Sequence, residues 1–204
     1  MNSLWITTHK GKMQGIDSIS TSCMLNPYCQ SRQLIEGAVC QKCYSMKYLS
    51  YRPSLREKVA INTDLLSEQL LEDSKIPFIN SHTFRLESFG DLVNEIHLKN
   101  YIKICKLNPR TTFGLWTKNL VILDKVFKEI AKPDNLIINL SSPYLNKQFE
   151  GLELVDYIDH VFTVYTKQYA QDNGIVINCG AKHCIKCLIC YTKGGDFYIN
   201  ELLK

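Results

Sequence analysis

Residues 78–178 alternate between short apolar runs and longer amphipathic stretches, and this alternation limits the folds that the chain can adopt. Apolar residues at helical spacing predict helices at residues 92–107 and 120–131, the second of which stops before Pro133. Strand–helix–strand order with short connections implies parallel strands joined by right-handed crossovers. Short runs rich in β-branched and aromatic residues predict strands at residues 82–87, 111–117, 136–140, 161–165 and 175–178.

The chain length bounds the size of this fold. Its 204 residues suit one domain, but a complete eight-fold βα barrel typically needs about 250 residues. We therefore expect a single α/β domain, built as a partial (βα) barrel or an open, mostly parallel sheet. Its βα core covers residues 53–178 and opens on a helix for which Ser54 is the predicted N-cap. A cysteine-rich N-terminal loop region, residues 1–52, precedes the core, and a cysteine-rich C-terminal segment, residues 179–204, follows it.

Nine cysteines are the second unusual feature of the sequence. Eight of them form two groups of four, one on each side of the predicted core. Cys105 stands alone in a predicted helix, where we expect it to be a small buried hydrophobe. The first group contains one C-x2-C pair, and the second has the spacing C-x4-C-x2-C-x2-C. The members are Cys23, Cys29, Cys40 and Cys43 in the first group and Cys179, Cys184, Cys187 and Cys190 in the second.

The expected environment of the chain bears on the state of these thiols. No apolar stretch is long enough to span a bilayer, and residues 1–15 carry no apolar signal core. We therefore expect a cytoplasmic protein with no membrane partner. Cytosolic thiols are kept reduced, and reduced cysteines at close, patterned spacing are typical of metal ligands. The net charge of +4 is too small to indicate nucleic acid, which usually meets a clustered basic face.

Two kinds of metal centre suit the cysteine groups. Zinc bound by four thiolates commonly uses C-x2-C pairs, and the first group suits that arrangement. The second group suits zinc less well, because three closely spaced cysteines would crowd one ion from one short loop. Ferredoxin-type ligation uses both C-x2-C-x2-C and C-x4-C-x2-C spacings, since each thiolate binds its own iron. The sequence therefore favours iron–sulfur clusters, expected to be [4Fe–4S], either one in each group or one shared between the groups.

A second candidate site lies where the predicted strands end. In parallel α/β folds, ligands bind in the crevice at the carboxyl ends of the strands. A glycine there lets the backbone approach a ligand, an aromatic side chain can stack on it, and a lysine can hold an anion. The simpler interpretation is structural, with Asp91 as a helix N-cap and Arg85 paired with Glu87 on one face of a strand. The cofactor-binding candidates in this crevice are Arg85, Glu87, Gly90, Asp91, Trp116 and Lys118.

Four segments carry a family resemblance: residues 40–44 (CQKCY), 84–91 (FRLESFGD), 112–118 (TFGLWTK) and 178–191. In these segments the chain resembles the bacteriophage gene product 88 family. The segments run in order from the first cysteine group to the second, so the resemblance covers most of the chain. It implies a virus or a prophage as the source of the sequence.

More distantly, that family is similar to radical SAM enzymes, which combine a partial βα barrel with an iron–sulfur cluster. The similarity implies SAM as a further cofactor. Radical SAM enzymes ordinarily use C-x3-C-x2-C in one loop, which leaves one iron free for SAM, and this spacing is absent here. Each group instead offers four cysteines, so each cluster would be fully ligated, as suits electron transfer or a structural role.

Three functions therefore stay open, and with them whether the chain is an enzyme. The first is an iron–sulfur protein used in electron transfer or another redox reaction, with a redox protein or a small molecule as its partner. The second is a radical SAM-like enzyme whose crevice binds a small molecule. The third is a zinc-stabilised module that binds nucleic acid or another protein.

Overall fold

The computed structural model describes residues 3–152 and 155–203, and one open sheet organises them. Within that part of the chain six strands pair in parallel, and their order across the sheet is their order along the sequence. Each connection therefore crosses to the adjacent strand, as in a (βα) barrel that does not close. The strands are β1 (Asp17–Ile19), β2 (Thr83–Leu86), β3 (Thr112–Thr117), β4 (Leu136–Ser141), β5 (His160–Tyr165) and β6 (Tyr198–Leu202).

The helices lie in the crossovers between these strands. In α4 the helix begins after Asn94, whose side chain accepts a hydrogen bond from the His97 N–H (3.0 Å). In α3 Pro53 takes the first helical position and Arg52 is the N-cap, so the prediction of Ser54 as N-cap is wrong. The helices are α1 (Pro27–Gln33), α2 (Tyr44–Ser50), α3 (Pro53–Ser67), α4 (Glu95–Leu107), α5 (Leu120–Phe127), α6 (Lys167–Asp172) and α7 (Cys184–Cys187).

One face of the sheet packs against α3, α4 and α5. Alternate residues of a strand point to the same face, and Phe84 and Leu86 of β2 and Phe113 and Leu115 of β3 are buried on this one. They pack with buried leucines of the three helices, among them Leu98. Burying each such side chain fully contributes about 1.5–3 kcal/mol to stability. This apolar layer is the main core and fixes the sheet that carries both cysteine groups.

The opposite face of the sheet is covered by the C-terminal cysteine segment. The 3₁₀ turn Ile189–Tyr191 packs on it, and the Tyr191 ring lies over Gly114 of β3. A Cβ atom added at Gly114 would stand 2.6 Å from Cε1 of that ring, so only glycine leaves it room. The Trp116 ring meets Tyr191 edge to face at 5.4 Å between centroids, and Phe162 of β5 extends the cluster.

The α/β fold and its open parallel sheet are confirmed, and the predicted strands at residues 82–87, 111–117, 136–140 and 161–165 correspond to β2, β3, β4 and β5. The strand predicted at residues 175–178 is wrong. That segment has no regular structure, and Val176 is 76% exposed. β1 and β6 lie in regions predicted to be loop and tail, so both cysteine groups lie inside crossovers between paired strands.

Candidate metal centres

The first cysteine group lies in the β1–β2 crossover, at the carboxyl ends of the first three strands. Asn26 caps α1 and also donates to the Asp91 carbonyl beyond β2 (2.8 Å). The Tyr28 hydroxyl donates to the Lys118 carbonyl beyond β3 (2.7 Å), which ties α1 to that edge of the sheet. One thiol precedes α1, one lies within α1, and two come from the turn before α2. In chain order they are Cys23, Cys29, Cys40 and Cys43.

The four thiols of this group lie close enough to alter one another's ionisation. A hydrogen bond between Cys23 and Cys43 raises the pKa of Cys23 and lowers the pKa of Cys43 to about 6, and two N–H groups of α2 also favour the Cys43 thiolate. Burial raises the pKa values of Cys29 and Cys40. Burial and mutual repulsion oppose the simultaneous ionisation of these four thiols, and a positive charge among them, such as that of a metal ion, would favour it.

Lys118 brings one positive charge to the first group. Burial raises the pKa of Cys40, and the Lys118 ammonium opposes that rise. The Asp91 carboxylate holds the turn that presents this lysine, because it accepts hydrogen bonds from the Lys118 N–H (2.9 Å) and the Thr117 hydroxyl (2.5 Å). Burial raises the pKa of Asp91. The predicted role of Asp91 as a helix N-cap is wrong, because Asn94 caps α4.

The second cysteine group lies in the β5–β6 crossover. One turn of α7 places Cys184 and Cys187, three residues apart, on the same side of the helix. Leu188 then takes a left-handed conformation (φ 53°), which reverses the chain and returns Cys190 towards them. Cys179 joins from the extended segment beside β6, where its N–H donates to a β6 carbonyl (3.0 Å). Electrostatic interactions link all four thiols.

Two cations face the second group. Lys12 donates from Nζ to Cys179 Sγ (3.4 Å) and to Glu201 Oε1 (2.8 Å). Burial acts to lower the pKa of Lys12, but the hydrogen bond to Glu201 and the nearby negative charges raise it above its ordinary value. Burial raises the pKa of Cys190, and the Arg85 guanidinium opposes that rise. The donor set therefore has charge compensation on two sides, which suits an anionic thiolate centre.

Glu87 does not face a ligand crevice. It was predicted to share a strand face with Arg85, but its φ of +64° turns the side chain into the protein. There the buried carboxylate accepts hydrogen bonds from the Tyr101 hydroxyl (2.6 Å) and the Thr21 hydroxyl (3.0 Å). A Cβ atom at Gly90 would stand 2.4 Å from Thr21 Oγ1, so this glycine gives close packing of the chain itself. Glu87 and Gly90 therefore support the loop beneath the first group.

Arg85 and Trp116 lie on the other side of the sheet, next to the second group. The guanidinium stacks on the Trp116 ring, 3.9 Å from its centroid, and Nε donates to the Glu87 carbonyl (3.1 Å). No ion pair between Arg85 and the Glu87 carboxylate occurs in the described residues. The six crevice candidates are therefore divided: four lie near the first cysteine group, and two lie against the second.

A cavity of about 610 Å³ opens farther along the same edge of the sheet, at the carboxyl ends of β4 and β5. Four of its lining residues are aromatic and most of the others are polar, and the hydroxyl of Tyr165 donates to Gln148 Oε1 inside it (3.2 Å). Sequence reasoning did not predict this cavity, because most of its lining comes from the irregular segment that joins β4 to β5. Its lining includes Ser142, Tyr144, Lys147, Phe149, Tyr165 and Tyr169.

All nine cysteines are free, and Cys105 is buried in α4, as expected. Across residues 3–152 and 155–203, no group of three or more His, Cys, Asp or Glu side chains has an arrangement that could hold a metal ion.

Sequence reasoning missed Lys12, whose contact with Cys179 joins residues 167 positions apart. The glycine at position 114 could have indicated the contact with Tyr191, because a glycine inside a strand often marks a place where another group packs closely against the backbone.

Comparison with known proteins agrees with the family resemblance. A family model described as gene product 88 matches residues 8–196, which include both cysteine groups and all the strands except β6. The same comparison with curated proteins and with solved structures finds no match. Among the described residues, none of the helices combines the length and the apolar character needed to cross a membrane.

Proposed function

The chain belongs to the gene product 88 family, and we propose that it binds iron–sulfur clusters of the [4Fe–4S] type through its two groups of four cysteines. The proposed role is electron transfer in the host cytoplasm, where thiols stay reduced. One observation supports the proposal: in each group, four free thiols from a single crossover lie within electrostatic reach of one another. No group in the described residues is arranged to hold a metal ion, so cluster binding would have to draw these thiols together. Cys23 and Cys29 pack in one apolar cluster and Cys179, Cys184 and Cys190 in another, which supports one centre for each group.

The spacing of the second group supports iron–sulfur clusters over zinc. The left-handed Leu188 lets Cys184, Cys187 and Cys190 approach from one short loop. Around a single zinc ion these three thiolates would crowd one another, whereas a cluster offers each thiolate a different iron. When bound, such a cluster supplies one-electron chemistry at a potential set by the charges and hydrogen bonds around its sulfur ligands.

The surrounding residues have separate tasks in this proposal. Lys12 and Arg85 offset the negative charge of the second group, and Lys118 does so for the first. Asp91 orients Lys118 by accepting a hydrogen bond from its N–H, and Tyr191 fixes the turn after Cys190 on the sheet. These residues hold and tune the sulfur ligands, as surrounding residues do in other metal sites.

A radical SAM-like activity is the second candidate. The first cysteine group and the 610 Å³ cavity both lie at the carboxyl ends of the parallel strands, where (βα) barrels bind their substrates. This candidate needs an iron without a protein ligand. Addition of SAM to the reduced protein would then change the electron paramagnetic resonance spectrum, whereas fully ligated clusters leave it unchanged.

Paired cysteine variants test the main proposal. We expect Cys40→Ser/Cys43→Ser to remove the iron and sulfide of the first group, and Cys184→Ser/Cys187→Ser to remove those of the second. Each double variant would keep about half of the wild-type iron after anaerobic purification. Cys105→Ser is the matched control, because it removes a thiol outside both groups and should leave the iron content unchanged.

Two outcomes of this experiment would contradict the proposal. Iron content equal to wild type in a double variant would show that its group is not a ligand set. Zinc without sulfide in the wild-type protein, lost in the same variants, would select the zinc-stabilised module instead. Circular dichroism of each variant checks that the fold persists, so that a loss of iron is not a loss of structure.

A further inference from the structure

The formal net charge of the chain is concentrated in one segment. Residues 28–58 hold six lysines and arginines but only two acidic residues, so this segment carries a charge of +4, equal to that of the whole chain. None of these cations forms an ion pair with a carboxylate in the part of the chain that the structure describes. The segment therefore has the clustered positive charge that the small net charge of the protein conceals. The six residues are Arg32, Lys42, Lys47, Arg52, Arg56 and Lys58.

Aromatic rings hold several of these cations in place. The Arg52 guanidinium lies 4.1 Å from the centroid of the Tyr48 ring and 5.9 Å from that of Tyr51. The Lys58 ammonium lies 3.5 Å from the centroid of the Trp5 ring. Tyr51 is 59% exposed, so its ring is open to solvent. An exposed aromatic ring beside an arginine is the combination on which the unpaired bases of single-stranded nucleic acids stack.

The first turn of α3 leaves backbone donors free beside these side chains. Arg52 is the N-cap but makes no side-chain capping hydrogen bond, and the first turn contains no acidic residue. The Arg56 N–H donates to the Arg52 carbonyl (2.9 Å), whereas the N–H groups of Ser54 and Leu55 meet no acceptor among the described residues. Free N–H groups and the positive end of the helix dipole favour an anion at this position.

A second cavity, also of about 610 Å³, adjoins the start of α3, and we call it the α3 pocket. Ser22 forms part of its wall and is 1% exposed, and the Ser22 hydroxyl has no hydrogen-bond partner among the described residues. A buried hydroxyl without a partner is destabilising unless a ligand or a water satisfies it. Ser54 and Arg56 also line the pocket, together with apolar side chains such as Leu25 and one carboxylate, that of Glu57.

We propose that the α3 pocket binds one phosphate of a single-stranded nucleic acid and that Tyr51 stacks on a neighbouring base. A phosphodiester suits the donors of the pocket, because its free oxygens accept hydrogen bonds from a hydroxyl, from helix N–H groups and from the Arg56 guanidinium. A cavity of this size accommodates one nucleotide, and the other cations of residues 28–58 attract the phosphates outside it. The inference goes beyond the proposed iron–sulfur function and needs no bound cluster.

The test is fluorescence anisotropy of a labelled oligothymidylate of about 12 nucleotides, a length within the range of single-strand sites. In Arg52→Gln/Arg56→Gln we expect the Kd to rise at least about 10-fold. Each phosphate contact to a single strand contributes about 0.7 to the slope of log Kd against log salt concentration, so the slope should fall by about 1.4. Glu57→Gln should lower the Kd, because it removes a negative charge from the wall of the pocket.

Ser22→Ala separates binding from folding. The Kd should rise roughly 5-fold or more, because one hydrogen bond to the phosphate is lost. The Tm should not fall, because the hydroxyl has no partner within the described part of the protein. A Ser22→Ala protein that binds the strand as tightly as wild type would contradict the placement of the phosphate in the α3 pocket.

The matched control is Lys106→Gln/Arg110→Gln, which removes the same net charge from exposed residues. These residues precede β3 and lie at the amino ends of the strands, whereas Ser22 lies beyond the carboxyl end of β1. The control should keep the Kd within about twofold of wild type and the salt slope unchanged. Equal effects of the two double variants would overturn the inference, since only net charge would then matter. So would an unchanged Kd in Arg52→Gln/Arg56→Gln.

Competitors identify the source of the phosphate. We expect unlabelled oligothymidylate to displace the labelled strand, and inorganic phosphate, thymidine monophosphate and an oligoadenylate–oligothymidylate duplex to leave it bound at the same phosphate concentration. Displacement by either small compound would assign the pocket to a free phosphate and overturn the binding of a strand. Equal displacement by the duplex, in which the base faces are hidden, would contradict the stacking on Tyr51, as would wild-type affinity in Tyr51→Ala. Circular dichroism of each variant checks that the fold persists.

Discussion

Replacement of Gly114 by alanine tests the packing of the second cysteine group on the sheet. The added Cβ would stand 2.6 Å and 2.9 Å from two ring carbons of Tyr191 and 2.8 Å from Cζ3 of Trp116. Neither ring can move far, because each is packed against the other over the sheet. Overpacking of this kind typically costs about 1–3 kcal/mol. At about 2–4 °C per kcal/mol for a chain of this size, we expect the Tm to fall by roughly 2–12 °C.

The assay is thermal unfolding followed by circular dichroism, with all variants prepared under the same oxygen-free conditions. Gly180→Ala is the matched control, because that position has open space around it and no positive φ, and its Tm should stay within about 1 °C of wild type. The second-site change Tyr191→Leu should recover part of the loss by removing the ring. A Gly114→Ala protein as stable as wild type would refute the described contact of Tyr191 with β3.

Three further changes test the electrostatic contacts. Tyr101→Phe removes the 2.6 Å hydrogen bond to the buried Glu87 carboxylate and should lower the free energy of unfolding in urea by about 1.5–3 kcal/mol. Burial lowers the pKa of His9 from 6.5 to about 4, so the folded state resists its protonation. The free energy of unfolding should therefore decline as the pH falls from 6.5 towards 4, because the unfolded chain binds this proton first. In the His9→Gln variant, the free energy of unfolding measured in urea should differ less between pH 7 and pH 5 than it does in the wild type. If the second group holds the proposed cluster, Lys12→Met removes the N–H···S contact with Cys179 and should lower the reduction potential of that cluster by roughly 40 mV in a redox titration.

Each of these changes has its own check. Tyr169→Phe removes a hydroxyl from a partly exposed tyrosine, and a loss of stability equal to that of Tyr101→Phe would contradict the importance of the buried contact. Lys10→Met removes a neighbouring exposed charge, and a potential shift equal to that of Lys12→Met would point to net charge alone. A wild-type pH profile identical to that of His9→Gln would show that this histidine titrates alike in the folded and unfolded chains.

The central strands could be predicted because each has apolar residues that are buried in the core. β4, for example, is buried at every position, and Asn139 and Ser141 are its only polar residues. β1 has only three residues and begins with Asp17, so it gives no such run. β6 carries polar residues and lies at the edge of the sheet. The apolar run at residues 175–178 misled the prediction, because a short run does not reveal whether a neighbouring strand is present.

Spacing predicts the members of each cysteine group as ligands, which stays a prediction, but it gives no information about their surroundings. The contacts of Lys12 with Cys179 and of Tyr28 with the Lys118 carbonyl depend on the tertiary fold. Arg85 and Glu87 do not share one face as predicted. The left-handed conformation of Glu87 turns its carboxylate away from the face that Arg85 occupies. A non-glycine residue in that conformation is rare, so strand alternation gave no warning of it.

Iron and acid-labile sulfide, measured per chain in wild-type protein purified without oxygen, test the central claim most directly. Two [4Fe–4S] centres predict iron and sulfide in equal amounts, on the order of eight of each per chain. Half that value would indicate one centre shared between the groups or held by one of them. Protein that contains zinc but no sulfide, or neither metal, would contradict the account.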